Sequence, residues 1–289
     1  MDREQKNNGW IWLLLSAVCW SMGGMLAKLN HWGPVSITTV RGVLSFVLYL
    51  LLFRPKRIEL TRSKVISAVC YFAQGILMVT AVKITTAGNS SLLQNTAPLF
   101  IMAMEFLILK RKPTGENILA CLMLLMGIAL CCLGNAGNGK ITGDLIAVLS
   151  GVFYAGVFFF NSRADSDALE SLILGNGLYL LLIPFLFTDP GVRASTGRDI
   201  LSVLAFSLLT GTAAWFMFSV GIRRTEPLRA SFITMLEPVL APFWALVFLG
   251  EQMSGLCILG GILVVVTLIV YNVRRIRGGT PDSGNSGRI

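Results

Sequence analysis

Glu237 is an ionisable residue within a long apolar stretch, residues 230–250, and it directly precedes Pro238. A carboxylate at the depth of a lipid bilayer is costly unless it faces a protein interior or a water-filled cavity, so such a residue indicates a functional site. The proline lacks a backbone N–H and weakens a helix at that point. Carriers often bind substrates where a helix is broken near the bilayer centre. We therefore predict that Glu237 binds a cationic group or carries a coupling proton; the alternative is permanent pairing with a cation or with helix backbone.

A second set of polar residues lies in another apolar stretch, residues 87–109. Its members recur at steps of three, four or seven residues, which places them on one helical face: Ser91, Gln94, Asn95, Pro98 and Glu105. A similar face in the stretch 230–250 carries Ser231, Thr234, Glu237 and Pro238. Two such faces would enclose a cavity, where we predict that Gln94 and Asn95 bind substrate and that Pro98 and Pro238 break their helices. The alternative for these polar groups is hydrogen bonding between helices, at about 0.6 kcal/mol for each contact.

Three further charged residues are candidates for coupling or gating. Glu105 would favour a cationic substrate or a proton relay if it faced the cavity; otherwise it would pair with a lysine or arginine near the membrane interface. Arg41 lies inside the apolar stretch 35–53, where it either braces the structure or contacts an anionic group such as a substrate carboxylate. Glu251 follows Gly250 at the end of an apolar stretch, so we predict that it caps a helix end or acts at a gate.

Aromatic residues within the apolar stretches are further candidates for substrate binding: Trp20, Tyr154, Phe158 and Trp215. Packing against neighbouring helices is the alternative role for each of them. Trp20 and Tyr154 are the stronger candidates, because an internal repeat described below places them at equivalent positions. Together they could hold an aromatic ring, or a quaternary amine through a cation–π interaction.

The elements that must position these side chains are transmembrane helices. Of the 289 residues, 54% are hydrophobic and only 13% are charged, whereas ordinary soluble domains carry about 25% charged residues. A transmembrane helix needs about 20 mostly apolar residues. The sequence offers ten such stretches: 9–29, 35–53, 65–83, 87–109, 117–134, 144–162, 170–188, 200–222, 228–250 and 254–273. We therefore predict an all-α integral membrane protein with ten transmembrane helices, the first of which is retained rather than cleaved as a signal peptide.

The net charge of +9 is explained better by membrane orientation than by nucleic-acid binding. With both termini in the cytoplasm, most lysines and arginines fall on the cytoplasmic side, as the positive-inside rule requires. We predict a multi-pass protein of the bacterial inner membrane that contacts lipid, has no nucleic-acid partner and is a monomer or homodimer. The six cysteines lie in apolar stretches without a C-x-x-C motif, and the only histidine is His31. The spacing therefore predicts no metal site, and we expect no cofactor.

The sequence also contains an internal repeat. One shift of the chain against itself aligns Trp20 with Tyr154, and a slightly larger shift aligns Pro98 with Pro238. We place the six additional residues of the second half in the polar segment 189–199. Each half holds five predicted helices, an odd number, so the two halves would have opposite orientations, which is a signature of secondary transporters. The predicted organisation is a cytoplasmic N-terminus (1–8), a first repeat (9–134), a second repeat (144–273) and a disordered cytoplasmic tail (278–289).

The chain resembles the EamA family of the drug/metabolite transporter superfamily over residues 9–275. The resemblance is strongest in AVKITTAGNSSLLQNTAPLF and RASFITMLEPVLAPFWALVFLGEQ, and Arg41 matches an arginine that is typical of the family's second helix. The second half keeps the family's Gly-Glu ending as Gly250-Glu251, whereas the first half has Lys110-Arg111 there. The resemblance implies a ten-helix transporter built from two EamA repeats. Members of the family move amino acids, nucleobases, amines and other metabolites, often outward.

Together these features predict a secondary active transporter that moves a small polar or cationic metabolite by alternating access. An amino acid, an amine or a quaternary ammonium compound would suit the polar and aromatic residues. Export is favoured, with protons as the candidate coupling ion, and uptake of a quaternary amine is the alternative. An intramembrane enzyme or a channel would be a different class of protein. The sequence contains no H-E-x-x-H, G-x-S-x-G or Walker motif, so we expect no enzymatic activity. It also contains no pore-loop pattern, which argues against a channel.

Overall fold

The computed structural model describes residues 8–55, 57–85, 87–134, 141–249 and 255–277. In this part of the chain the regular elements are helices, in agreement with the predicted all-α class. In the first half they are α1 (Gly9–Ser21), α2 (Gly23–Leu29), α3 (Pro34–Phe53), α4 (Arg62–Ile84), α5 (Ala87–Gln94), α6 (Ala97–Leu109) and α7 (Gly115–Gly134). In the second half they are α8 (Ile141–Asn161), α9 (Ala168–Leu178), a 3-10 turn (Tyr179–Leu182), α10 (Ile183–Leu186), α11 (Pro190–Arg193), α12 (Gly197–Ala205), a π-helical segment (Phe206–Ala213), α13 (Ala214–Ile222), α14 (Pro227–Thr234), α15 (Leu236–Leu249) and α16 (Gly255–Arg277).

Within the described residues, seven helical stretches are long and apolar enough to cross a membrane by length and composition: Gly9–Leu29, Pro34–Phe53, Arg62–Ile84, Thr142–Asn161, Ala168–Leu186, Gly197–Ile222 and Pro227–Phe248. Two shorter helices are also apolar, Ala97–Leu109 and Gly115–Gly127. Large apolar side chains along these helices remain exposed, among them Leu52 at 67% and Leu201 at 70%. Such a surface suits contact with lipid, because the bilayer core favours apolar side chains and satisfied helical backbone.

Two of the predicted spans, 87–109 and 228–250, are broken near the middle rather than continuous. Two residues separate α5 from α6, and one residue separates α14 from α15. A proline, Pro98 or Pro238, lies in the first turn of the second helix in each case. Proline is tolerated there because the N–H groups of a first turn have no partner within the helix. The two prolines therefore explain why each span restarts as a new helix.

The helix boundaries repeat along the chain in the register that aligns Pro98 with Pro238. In this register the ends of α5 and α14 coincide, so the break follows the same aligned position in both halves. The packing repeats as well, since α4 and α5 lie against α8 as α13 and α14 lie against α1. α7 and α16, which are counterparts, pack against each other. Two copies of one helical unit would give this pattern.

The additional residues of the second half lie mostly outside the segment where the sequence placed them. Thr61 and Thr196 cap the starts of α4 and α12. In the register that aligns Trp20 with Tyr154 these two caps are offset by a single position, so only one extra residue precedes them. At the ends of α4 and α13, Ile84 and Ile222, the offset in the same register has grown to four positions. Three more extra residues therefore fall inside the span that holds the π-helical segment. A π-helix has more residues in each turn than an α-helix, so this segment can accommodate them. The prediction of an insertion within 189–199 was wrong for most of these residues.

Candidate functional site

A cavity lies where helices of the two halves meet, and its lining comes from both broken spans. Its empty volume is about 620 Å³, which includes space open to solvent. The polar and charged residues that line it are Ser21, Arg41, Gln74, Ser91, Gln94, Thr210 and Glu237. The aromatic residues that line it are Trp20, Tyr154, Phe206 and Trp215. A concave site with apolar and aromatic walls and a few polar groups is typical of small-molecule binding.

Glu237 lies at the cavity wall in the first turn of α15. Its side chain is only 6% exposed, and Oε1 accepts a hydrogen bond from Ser91 Oγ of α5 at 3.2 Å. No lysine or arginine among the described residues forms an ion pair with it. Permanent pairing with a cation is therefore not how this part of the protein accommodates the carboxyl group. The contact joins the two broken spans, one from each half of the chain.

The two predicted amides of the first broken span have different positions. Gln94 ends α5 and lines the cavity. Asn95 is buried behind the lining, where its Nδ2 donates to the backbone oxygen of Ser91 at 2.8 Å. Its amide therefore bonds to the backbone of α5, and Asn95 is not among the residues that line the cavity.

Three of the four predicted aromatic residues line the cavity, and their rings contact one another edge to face. The Trp20 ring centroid lies 5.8 Å from that of Tyr154 and 4.7 Å from that of Trp215. Phe158 is fully buried behind this wall, packing against Tyr154 at 4.9 Å and against Phe218 at 4.9 Å. Phe158 therefore supports the wall, while the other three rings present the cavity surface.

Arg41 also lines the cavity, and aromatic side chains surround its guanidinium group. Nη2 donates to the Tyr179 hydroxyl at 3.1 Å, and the guanidinium carbon lies 5.6 Å from the ring centroids of Tyr71 and Tyr179 and 5.8 Å from that of Phe206. Tyr179 is held in turn, because its hydroxyl donates to the backbone oxygen of Phe72 at 3.0 Å. These contacts brace the arginine without neutralising its charge.

Several buried polar atoms at this cavity have no hydrogen-bond partner among the described residues. They are Trp20 Nε1, Arg41 Nε, Gln74 Oε1 and Gln94 Nε2. Buried polar groups are nearly always satisfied in folded proteins. A cluster of unsatisfied donors and acceptors around one cavity therefore indicates that a polar ligand or water completes the site.

The remaining predicted site residues lie away from the cavity. Glu105 is partly exposed on α6 and is not among the lining residues. Pro98 and Pro238 are buried at the two helix breaks. Glu251 and the predicted tail, 278–289, lie outside the described residues. Within the described part of the chain, histidine, cysteine, aspartate and glutamate side chains form no group of three that could hold a metal ion.

The sequence did not single out Gln74 or Tyr179. Gln74 is an amide in the middle of the predicted span 65–83, so the rule that marked Glu237 would also have marked it. Tyr179 carries no comparable signal, because its role depends on a contact with Arg41 across 138 positions of the chain.

At one end of the bundle, two carboxylates tie the linker between α2 and α3 to the start of α11 and to the first turn of α12. Asp189 accepts from the Gly33 N–H at 2.8 Å, and Asp199 accepts from the His31 N–H at 2.8 Å. Burial would raise the pKa of Asp189, but hydrogen bonds from the Ser36 hydroxyl and from backbone N–H groups outweigh it, so its pKa lies below the usual value. We call this set of contacts the linker clamp.

The model of the EamA-like transporter family matches residues 7–133 and again residues 141–273. The chain is similar to an uncharacterized transporter, YwfM, of Bacillus subtilis, with 26% identity over 72% of each chain. It is 22% identical to a protein of Salmonella typhimurium named as a probable amino-acid metabolite efflux pump, over 91% of this chain and 95% of that one. It is 25% identical to a probable terminal-alkyne amino-acid exporter of Streptantibioticus cattleyicolor, over 70% of this chain and 69% of that one.

A solved crystal structure shares the fold. Its TM-score is 0.75 at 17% sequence identity, and the match covers 93% of this chain and 99% of the other. The likeness at this identity concerns the path of the chain rather than its chemistry.

Proposed function

The chain belongs to the EamA-like transporter family, and we propose that it is a secondary active transporter of a small polar or cationic metabolite, working by alternating access. Membership places it among multi-pass membrane transporters rather than enzymes. The single observation that supports the proposed site best is the Glu237–Ser91 contact, at 3.2 Å, in the wall of the cavity. The carboxyl group belongs to one broken span and its hydrogen-bond partner to the other, so it can change partners when these helices move relative to each other.

The proposed transport cycle depends on two inverted units of five spans each. The common register of the helix boundaries in the two halves, and the paired packing of α4 with α8 and of α13 with α1, support two equivalent units. An odd number of spans in each unit would invert the second relative to the first. Exchange of conformations between inverted units would then open the cavity to one side of the membrane or the other.

The substrate that we propose is an amino acid or a related amine. The cavity offers a carboxyl group, a guanidinium group and an aromatic wall, which suit a small ligand with a charged amino group. Two relatives are named for amino-acid efflux or export, and this supports export as the direction here. Glu237 would then alternate between binding the substrate's ammonium group and a proton, so that an inward proton gradient drives export.

The proposed location is the bacterial inner membrane, with both termini in the cytoplasm. This orientation follows from the distribution of lysines and arginines along the chain, which favours the cytoplasmic side of the bilayer. The relatives with 22–26% identity come from bacteria.

A second candidate is uptake of a quaternary amine. The observation that favours it is the edge-to-face wall of Trp20, Tyr154 and Trp215 near Glu237, because aromatic rings and a carboxylate together recognise quaternary ammonium groups.

Counterflow in proteoliposomes tests the proposal and separates the two candidates. Vesicles containing the purified protein would be loaded with L-leucine, L-phenylalanine or choline and diluted into the same labelled compound. We expect saturable counterflow of at least one amino acid. Counterflow of choline alone would favour the second candidate, whereas flux that rises linearly with concentration, or none at all, would contradict a carrier for this class of compound.

A further inference from the structure

Arg41 is a buried cation without an acidic partner among the described residues. Its side chain is 5% exposed, it lies within the apolar helix α3, and its contacts in that part of the chain are with tyrosine and phenylalanine rings and a tyrosine hydroxyl. No aspartate or glutamate there forms an ion pair with it. A buried charge at membrane depth is normally paired, so the missing negative charge calls for an explanation.

The Arg41 side chain packs closely against two neighbouring helical segments, and each of them carries glycine at the point of contact. A Cβ atom at Gly75 would lie 2.5 Å from Arg41 Nη2, and one at Gly211 would lie 2.8 Å from Arg41 Cγ. Glycine at both positions therefore lets the arginine reach the cavity between α4 and the π-helical segment. A purely structural brace would not require the charged end of the side chain to line a cavity.

The unpaired hydrogen-bonding groups of the same cavity also favour an anionic ligand group near Arg41. Arg41 Nε, Gln94 Nε2 and Trp20 Nε1 are buried donors without partners among the described residues. Two unused donors, from Gln94 and Trp20, together with the unneutralised guanidinium group and its free Nε, match the oxygens of an anion, while the unpaired acceptor Gln74 Oε1 matches a donor group of the ligand. Glu237, at another part of the lining, matches a cationic group instead.

We propose that Arg41 forms an anion subsite that binds the substrate's carboxylate while Glu237 binds its ammonium group, so that the cavity selects zwitterionic amino acids over simple amines. This inference rests on the proposed transport function and narrows its substrate class. The planar guanidinium group can donate to both carboxylate oxygens, which an ammonium group such as that of lysine cannot match. Charge at both ends of the substrate would be neutralised inside the cavity, so the occupied site would carry no net charge while the helices rearrange around it.

The test compares compounds that differ only in their charged groups. Binding of L-phenylalanine, 2-phenylethylamine and 3-phenylpropionate to the purified protein would be measured by calorimetry, together with the leucine set: L-leucine, 3-methylbutylamine and 4-methylpentanoate. Counterflow of each compound would be measured in parallel. Hydrogen bonds to charged groups contribute about 1.5–3 kcal/mol, so we expect the amino acid to bind at least about 10-fold more tightly than either partial analogue.

Variants separate the two subsites. Arg41→Gln should reduce amino-acid affinity by at least about 10-fold and leave the amine's affinity unchanged, whereas Glu237→Gln should weaken the amine and the amino acid. Arg57→Gln, on an exposed loop, is the matched control and should change neither. If Arg41→Gln fails to fold, Gly75→Ala replaces it. The added methyl group would collide with the Arg41 guanidinium group and with the Tyr179 hydroxyl that accepts a hydrogen bond from it, and displacing this pair should produce the same loss for the amino acid alone.

Two results would overturn the inference while leaving transport intact. One is equal affinity of the wild-type protein for an amino acid and its matched amine. The other is an unchanged preference for the amino acid in a folded Arg41→Gln or Gly75→Ala variant. Absence of counterflow for every compound would contradict the proposed function itself, and the inference with it.

Discussion

The Ser91 hydroxyl donates a hydrogen bond to Glu237 at 3.2 Å, across 146 positions of the chain. Ser91 belongs to α5, which ends just before the first helix break, and Glu237 belongs to α15, which starts just after the second. The contact therefore connects the two broken spans that carry Pro98 and Pro238. A hydrogen bond between these two helices can couple a conformational change in one half of the chain to a change in the other half.

Loss of the Ser91 hydroxyl should weaken the site. A buried hydrogen bond contributes about 0.5–1.5 kcal/mol, so we expect Ser91→Ala to lower the rate constant kcat/KM for counterflow by about 2- to 10-fold. The chain offers a matched control in Ser231, its counterpart in the second half, whose hydroxyl donates to the backbone oxygen of Leu228 in its own helix. Equal effects of Ser91→Ala and Ser231→Ala would contradict a specific role for the Glu237 contact.

The aromatic wall should contribute to substrate affinity. Trp20→Ala and Tyr154→Ala each remove a ring that lines the cavity, and a cation–π contact contributes about 0.5–2 kcal/mol, or about 2- to 30-fold in affinity. Calorimetry with the best counterflow substrate would measure the change. Phe160→Ala is the control, since that ring is not part of the cavity lining. Unchanged affinity in both Trp20→Ala and Tyr154→Ala would remove the aromatic wall from the account of binding.

Inverted five-span units predict a definite topology. In a background without native cysteines, single cysteines at Glu59, Lys112 and Ser162 should react with membrane-impermeant reagents only from the cytoplasmic side. A cysteine at His31 or at Arg193 should react only from the opposite side. These five positions lie at or near the ends of the long helices. Labelling of Glu59 and Ser162 from different sides would contradict the inverted arrangement, because an even number of spans separates these two positions in it.

The linker clamp should contribute to stability in a pH-dependent way. The folded-state pKa of Asp189 lies below its usual value, about 3.9 for an unperturbed aspartate. Its stabilising effect is therefore complete above about pH 4 and is lost as the pH falls through the lower folded-state pKa. We expect Asp189→Asn to reduce the free energy of unfolding at pH 7 by about 0.5–1.5 kcal/mol, read from thermal unfolding in detergent.

The control for the clamp is Glu59→Gln, a carboxylate on an exposed loop. Wild-type protein and Asp189→Asn should converge in stability as the pH falls from about 4 through the folded-state pKa of Asp189, while Glu59→Gln should follow the wild type throughout. A constant difference between Asp189→Asn and wild type across this range would show that the carboxylate's charge is not what stabilises the linkers.

Much of the architecture could be predicted because a membrane-spanning helix is recognised from the local sequence alone, as a long apolar stretch. Long apolar stretches located the seven long helices, and Pro98 and Pro238 marked the two breaks. The residues at which the helices end, Gln94 and Thr234, could not be predicted, since a proline does not show how far before it the preceding helix stops. The π-helical segment was missed because its extra residues are as apolar as their neighbours, and hydropathy is insensitive to helical pitch.

The site was less predictable than the fold. Glu237, Gln94, Trp20, Tyr154, Trp215 and Arg41 line one cavity, and each was a candidate because a polar or repeated residue in an apolar span is unusual. Asn95 and Phe158 were candidates for similar reasons but are buried outside the cavity lining, because their surroundings depend on tertiary packing. Tyr179 and the glycines around Arg41 could not be found from one sequence, since their roles exist only through contacts between distant helices.

The most direct test of the central claim is proton-driven flux through Glu237→Gln. Proteoliposomes containing wild-type or variant protein would be loaded with a compound that the wild type exchanges, and efflux would be followed with and without an imposed pH gradient. We predict that the gradient accelerates efflux through the wild-type protein and has no effect on the variant, which remains folded and retains some counterflow. Gradient-driven efflux of equal rate in both proteins would contradict the assignment of Glu237 as the coupling residue of this transporter.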